Sequence, residues 1–199
     1  MDKPYALVVD FDDTLIDSGK YKQNLFVLAK DFGVTLAKAN LAYLTATQNK
    51  PFTIKRFSKS LFLKDIQKQR QFQTKARLIF FKPKQYNFLG VEKFLKSLGK
   101  TYKLYLLTYG EKGHQGLKIK QSQLGKFFDS FVVTAQVGKR DKLLKFQLKW
   151  GKSVGVLDDS GNVCENAKNL GLKSFKIKKG FKNANYYNKL EVRINNYFK

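Results

Sequence analysis

The strongest constraint on this chain is an apolar run, Tyr5-Ala6-Leu7-Val8-Val9, that ends abruptly in three carboxylates within four residues, Asp10, Asp12 and Asp13. A continuous run of this kind predicts a parallel strand covered on both faces. In open α/β sheets ligand chemistry lies at the carboxyl ends of the strands, where these acids fall. Three such charges repel one another, so a folded chain holds them together only with a cation, a set of donors or full solvation. The Asp-x-Asp spacing adds direction, because alternate residues of an extended segment point the same way and Asp10 and Asp12 can face one substrate. A metal-assisted reaction site is the first expectation; an acidic turn after a core strand is the plain alternative.

Two later segments repeat the pattern. Leu104-Tyr105-Leu106-Leu107-Thr108-Tyr109-Gly110 is an apolar strand ending in a hydroxyl and a glycine, and Val154-Gly155-Val156-Leu157-Asp158-Asp159-Ser160 is one ending in paired acids. Taken with these, Asp10-Phe11-Asp12-Asp13-Thr14-Leu15 resembles the first motif of the haloacid dehalogenase superfamily, in its phosphatase branch. The second segment is similar to that family's second motif and the third to its fourth, with Asn162 to Leu172 continuing as the helix that follows. The family's third motif is a lysine shortly before the last strand. Lys139, leading Arg140-Asp141-Lys142-Leu143-Leu144 into a helix start, takes that place on helix-start signals, with Lys142 as the other candidate. The resemblance covers residues 4 to 17 and 88 to 177.

What the resemblance implies is specific. The fold would be a three-layer, Rossmann-like α/β core with a parallel sheet, formed by residues 1–17 and 86–199, and an α-helical cap over residues 18–85. The reaction would be magnesium-dependent hydrolysis of phosphate monoesters through an aspartyl-phosphate. Asp10 would be the nucleophile and Asp12 the general acid and base, a role calling for a pKa above that of its ionised neighbour. Thr108, Tyr109 and Lys139 would bind the substrate, Thr108 and Lys139 at the phosphoryl oxygens. Mg2+ would be held by Asp10, the Asp12 carbonyl and Asp159, with Asp158 direct or through water, and Asp13 would be structural. Haloacid dehalogenases lack an acid at the position of Asp12, which disfavours dehalogenation; a phosphomutase stays open.

Residues 18 to 85 read as helices. Tyr21, Leu25, Leu28, Ala29 and Phe32 recur at helical spacing before Gly33; Thr35 caps a second helix carrying Leu36, Ala39, Leu41 and Leu44. A third is expected from about Thr53 to Ile79, with Phe57, Leu61, Phe72 and Ala76 inward and Pro83 just beyond.

The chain carries 39 Lys and Arg against 15 Asp and Glu, a net charge of +24. Residues 1 to 17 hold five acids and one Lys, whereas Lys50 to Lys84 hold eleven basic residues and one acid, Asp65. Such a field concentrates a small phosphorylated metabolite, or binds nucleic acid, including a polynucleotide whose end is the substrate; a solvated lysine-rich surface is the bland reading. Tyr186, Tyr187, Tyr197 and Phe198 interleave with lysines near the C-terminus, as base stacking or, more simply, as packing of a terminal helix. The single cysteine, Cys164, excludes an intramolecular disulfide, and the single histidine, His114, reads as a loop or helix-start residue. No run approaches the roughly eighteen apolar residues of a membrane span, and Asp2, Asp10 and Asp12 break any signal-peptide pattern, so a cytoplasmic protein with no membrane partner is expected.

Overall fold

The computed structural model describes residues 3–79, 82, 84–180 and 182–198. Asp2 and Pro83, both used in the sequence reading, lie outside the described residues. Five strands, β1 (Tyr5–Val9), β2 (Tyr102–Tyr109), β3 (Ser130–Thr134), β4 (Val154–Asp158) and β5 (Lys173–Lys176), form one wholly parallel sheet in the order β3-β2-β1-β4-β5. The order reverses at β1, whose carboxyl end is therefore the crevice of the sheet.

Alternation along the strands explains the two-sided burial. Leu7 and Val9, beside Leu104, Leu106 and Leu157, face one layer. Ala6 and Val8, beside Tyr105, Val154 and Val156, face the other. The first layer is closed by α5 (Val91–Thr101), α6 (Lys112–Ser122) and α9 (Ala184–Tyr197), through Phe94, Leu98, Ile119, Tyr187 and Ile194. The second is closed by α7 (Arg140–Trp150) and α8 (Gly161–Asn169), through Leu143, Val163 and Ala167.

Between β1 and α5 come α1 (Ser18–Asp31), α2 (Leu36–Thr47), α3 (Ile54–Phe62) and α4 (Ile66–Leu78). Side-chain caps start each one: Asp17, Thr35, Thr53 and Asp65 accept from the backbone N–H three residues on. The single third helix expected over 53–79 is two. Leu63, at φ +40°, ends α3, and Asp65 opens α4. Leu61 and Phe72 stand eleven residues apart, about three turns, so the apolar period runs across the break and hides it. The second helix also buries a different face from that expected: Ala39, Ala42 and Ala46 go inside while Leu36, Leu41 and Leu44 are exposed. Small side chains let α2 lie close against α1 and α3, which the larger leucines would prevent. Among the described residues no helix is long and apolar enough to cross a membrane.

Candidate active site

The carboxyl ends of β1, β2 and β4 deliver the acids and the hydroxyl to one place. The Asp10 N–H donates to the Leu157 carbonyl at 2.8 Å, extending the ladder by one residue, so Asp10 and Asp158 arrive side by side. Lys139 comes from the start of α7. Its backbone sits in the left-handed region at φ +56°, at a cost of about 1 kcal/mol for a non-glycine residue, just after Gly138 at φ +79°. This turn aims the ammonium under the sheet edge, where it donates to Asp10 Oδ1 at 2.5 Å, Asp158 Oδ2 at 2.7 Å and the Leu107 carbonyl at 2.9 Å. Lys142, the other candidate, lies one turn along α7 and makes no such contact.

Lys139, Asp10 and Asp158 are all buried. Carboxylate oxygens of Asp10, Asp158 and Asp159 lie within 4.8 Å of one another, which makes these three a set that can hold a metal ion. One buried ammonium does not neutralise three carboxylates. Burial first, with the Asp158 charge adding to it, outweighs Lys139 and pushes Asp10 up to about 7. Asp159 is raised as well, by burial and then by Asp158 and Asp13. Lys139 is held above its ordinary value: burial opposes this, but the charges of Asp10 and Asp158 prevail. The cluster thus has the negative surplus and the all-oxygen donor set of a hard divalent cation.

Asp12 stands apart from that set. Its carboxylate is gripped by three donors: the Ser18 hydroxyl and the Lys118 ammonium on Oδ1, and Gln115 Nε2 at 2.6 Å on Oδ2. Burial works to raise its pKa, yet Lys118, then Ser18 and Gln115, outweigh it and hold Asp12 below its ordinary value. The expected order, Asp12 above Asp10, is therefore reversed in this structure, because the sequence reading missed Lys118. That lysine is buried on α6, with its Nζ 5.7 and 5.9 Å from the Phe11 and Tyr21 rings. Gln115 was missed too. Its Nε2 also reaches Thr108 Oγ1 at 2.7 Å and the Tyr109 carbonyl at 2.9 Å. Its side chain lies so close over Gly110 that a Cβ there would meet Gln115 Cγ at 2.3 Å. The signal was present as Gln115-x-x-Lys118, a pair on one helix face just past the second motif, but among 39 cations no single lysine stands out.

Asp13, at φ +55°, accepts from the Ser18 N–H through its side chain and from Lys182 Nζ, at 2.6 Å, through its carbonyl. These bonds fix the loop that presents Asp12. Above it opens a cavity of about 260 Å³, bounded by Tyr43 of α2, by Lys50 and Phe52 of the connection from α2 to α3, and by Asp12, Tyr109 and His114 of the sheet side. His114 lies in the first turn of α6 with its ring 5.3 Å from Phe52 and 6.0 Å from Tyr21. Burial, then the Lys118 charge, lowers it to about 4, so it is neutral at pH 7. Cys164 is buried, its thiol 3.5 Å from the Asp158 carbonyl.

No protein-family model and no curated protein sequence matches this chain. Solved structures do match over nearly its whole length. A haloacid dehalogenase-like family hydrolase from Xanthomonas campestris is 16% identical with a TM-score of 0.66, covering 98% of this chain and 95% of its own. A haloacid dehalogenase-like hydrolase from Burkholderia xenovorans LB400 is 18% identical with a TM-score of 0.73, covering 92% and 84%. The HAD-hydrolase YfnB from Bacillus subtilis, solved bound to magnesium, is 17% identical with a TM-score of 0.61, covering 88% and 87%. With the parallel sheet, its reversal at β1 and the acids at its carboxyl edge, these matches establish that the chain has the fold of the haloacid dehalogenase superfamily.

Proposed function

We propose that this protein is a magnesium-dependent phosphatase that hydrolyses phosphate monoesters through a phosphorylated Asp10. The observation that carries this reading is the meeting of Asp10, Lys139 and Asp158 at one buried point, with Asp159 and Thr108 beside it. The donor set of Asp10, Asp158 and Asp159 fits Mg2+, with the Asp12 carbonyl as the further ligand that the family resemblance implies; the ion would neutralise charge on the phosphoryl group and on the nucleophile. Asp10 attacks phosphorus in line, dividing one difficult displacement into two easier ones. Lys139 offers a fixed positive charge to the phosphoryl oxygens. Thr108 Oγ1 already accepts from Gln115, so its own proton is free to point at a phosphoryl oxygen. Asp12, held ionised by its three donors, is arranged to take the proton of the water that attacks the phosphorylated Asp10; to protonate the leaving oxygen first, it must take up a proton from solvent when substrate binds and loosens the grip of Lys118. The helices over residues 18–85 serve as a cap, with Tyr43, Lys50 and Phe52 meeting the leaving group.

The test is hydrolysis of an aryl phosphate with and without Mg2+. Turnover should vanish on chelation and in Asp10→Asn. Lys139→Ala should lower it by about 10²–10³, as for other fixed charges aimed at a transition state, and Lys142→Ala should change little. Wild-type turnover in Asp10→Asn would rule out the covalent mechanism.

A further inference from the structure

Part of the charge of the basic insertion is already engaged. Arg56 turns inward, its Nε donating to the Ala46 carbonyl at 3.2 Å; Lys68 pairs with Asp65 at 3.5 Å; and Lys75 lies over the Phe32 ring. A second concentration of charge lies where the chain leaves β5 and returns along α9. Two adjoining depressions share Lys176 and Lys178. One adds Lys179 and ends at Asp159, a member of the carboxylate set; the other adds Lys189 and Arg193. Lys176, Lys178, Lys189 and Arg193 are exposed and none has an ion-pair partner among the described residues; the Arg193 guanidinium lies 5.6 Å from the Phe175 ring centroid. The segment is not adrift: Lys182 bonds both Gly180 and the Asp13 carbonyl, tying this rim to the loop of Asp12.

We propose that this groove binds single-stranded nucleic acid and leads a phosphorylated strand end to Asp10. Strand binding is argued from the groove alone; delivery to Asp10 rests on the phosphatase reading. Four like charges lining one depression repel one another, and an extended chain of phosphates relieves all four at once where a small phosphate ester reaches only one or two. The groove also contains an aromatic ring. Tyr186 is half-buried, with its hydroxyl accepting from the Lys178 N–H at 3.0 Å and its ring edge-on to Tyr187 at 5.6 Å. A ring held this way is a platform for an unpaired base, which a duplex does not offer. The remaining aromatics of the terminal stretch split as packing requires: Tyr187 and Phe198 are buried, and Tyr197 packs against Phe175.

The experiment is fluorescence anisotropy of the full chain with a 5′-phosphorylated, labelled oligothymidylate of about 12 nucleotides, within the span such grooves cover. Binding at low salt should weaken about tenfold or more in the variant Lys176→Gln, Lys178→Gln, Lys189→Gln, Arg193→Gln, and the slope of log affinity against log salt should fall by about 3, near 0.7 per phosphate released. An equally neutralised variant of the insertion, Lys55→Gln, Lys59→Gln, Lys64→Gln, Arg70→Gln, should lose much less. No binding at low salt, equal losses in the two variants, or a duplex bound as tightly as the single strand would each overturn the groove. Phosphate release from the same oligonucleotide should show the groove variant raising KM about tenfold or more, in line with its lost affinity. A wild-type chain that binds the strand but releases phosphate neither from it nor from an aryl phosphate would sink the phosphatase reading and leave the groove standing. Aryl phosphate hydrolysis without release from a bound strand would overturn the delivery step.

Discussion

A buried carboxylate and a half-buried one, two residues apart, meet opposite fates. Asp12 has three donors and is held low; Asp10 shares one lysine with Asp158 and is driven up to about 7 from an ordinary 3.8. An acid whose pKa is higher folded than unfolded binds its proton more tightly in the native state, so it removes stability as pH rises from about 4 to 7. In magnesium-free buffer, Asp10→Asn should therefore gain on the wild type over that window, by at most on the order of 2–4 kcal/mol, with a Tm gap that is small near pH 4 and widest above pH 7. A gap that does not change with pH in thermal melts would show that burial of Asp10 charge is not the cause. Lys118 supplies the complementary prediction. Lys118→Met removes the main group that lowers Asp12, so the limb of the pH–rate profile belonging to Asp12 should move to higher pH. A profile unchanged in position, with turnover measurable, would mean that Lys118 does not set the state of Asp12.

At the level of elements, what matters is how closely backbones approach. Gly90 precedes α5 at φ +89°, and a Cβ there would meet the backbone Cα of Ala184, at the start of α9, at 2.6 Å. Gly33 ends α1 at φ +75° with open space around it. Gly33→Ala should cost about 1 kcal/mol, from the left-handed backbone alone. Gly90→Ala adds an overlap that no flexible side chain can relieve, and should cost about 2–4 kcal/mol in denaturant unfolding. Equal costs would mean that α9 shifts freely against α5. The partner of Gly90 lies 94 residues away, and contacts of that range leave no local pattern in the sequence.

Across the whole molecule, one apolar cluster runs without interruption from the sheet through α5 and α9 into the inserted helices. It holds Leu7 and Leu106 together with Leu25, Phe57 and Phe72. Rings of the insertion also touch residues beyond it: Tyr21 meets Tyr86 at 5.6 Å and Phe52 meets His114 at 5.3 Å, both steeply inclined. Parts that share a core unfold together, so calorimetry should record one transition, and Phe57→Ala, at a fully buried ring, should lower it by about 3–5 kcal/mol of stability. Two separated transitions, with only one moved by Phe57→Ala, would mean that the helices over 18–85 are energetically independent.

The sheet, its parallel sense and the acids at its edge were legible from residue order, because a buried strand is a run of neighbours and Asp10, Thr108 and Asp158 each follow such a run directly. Lys139 was legible as well, since it opens a helix and so carries a local signal. Lys118 and Gln115 were not: they lie mid-helix, and what distinguishes them is that α6 packs with that face toward Asp12. The break between α3 and α4 escaped because the apolar period continues across it, and the buried face of α2 because close approach selects alanine over leucine. The basic groove joins residues of β5, its exit loop and α9. Charge in sequence is a count, and only packing decides which charges are spent on neighbours and which are left facing solvent around one groove.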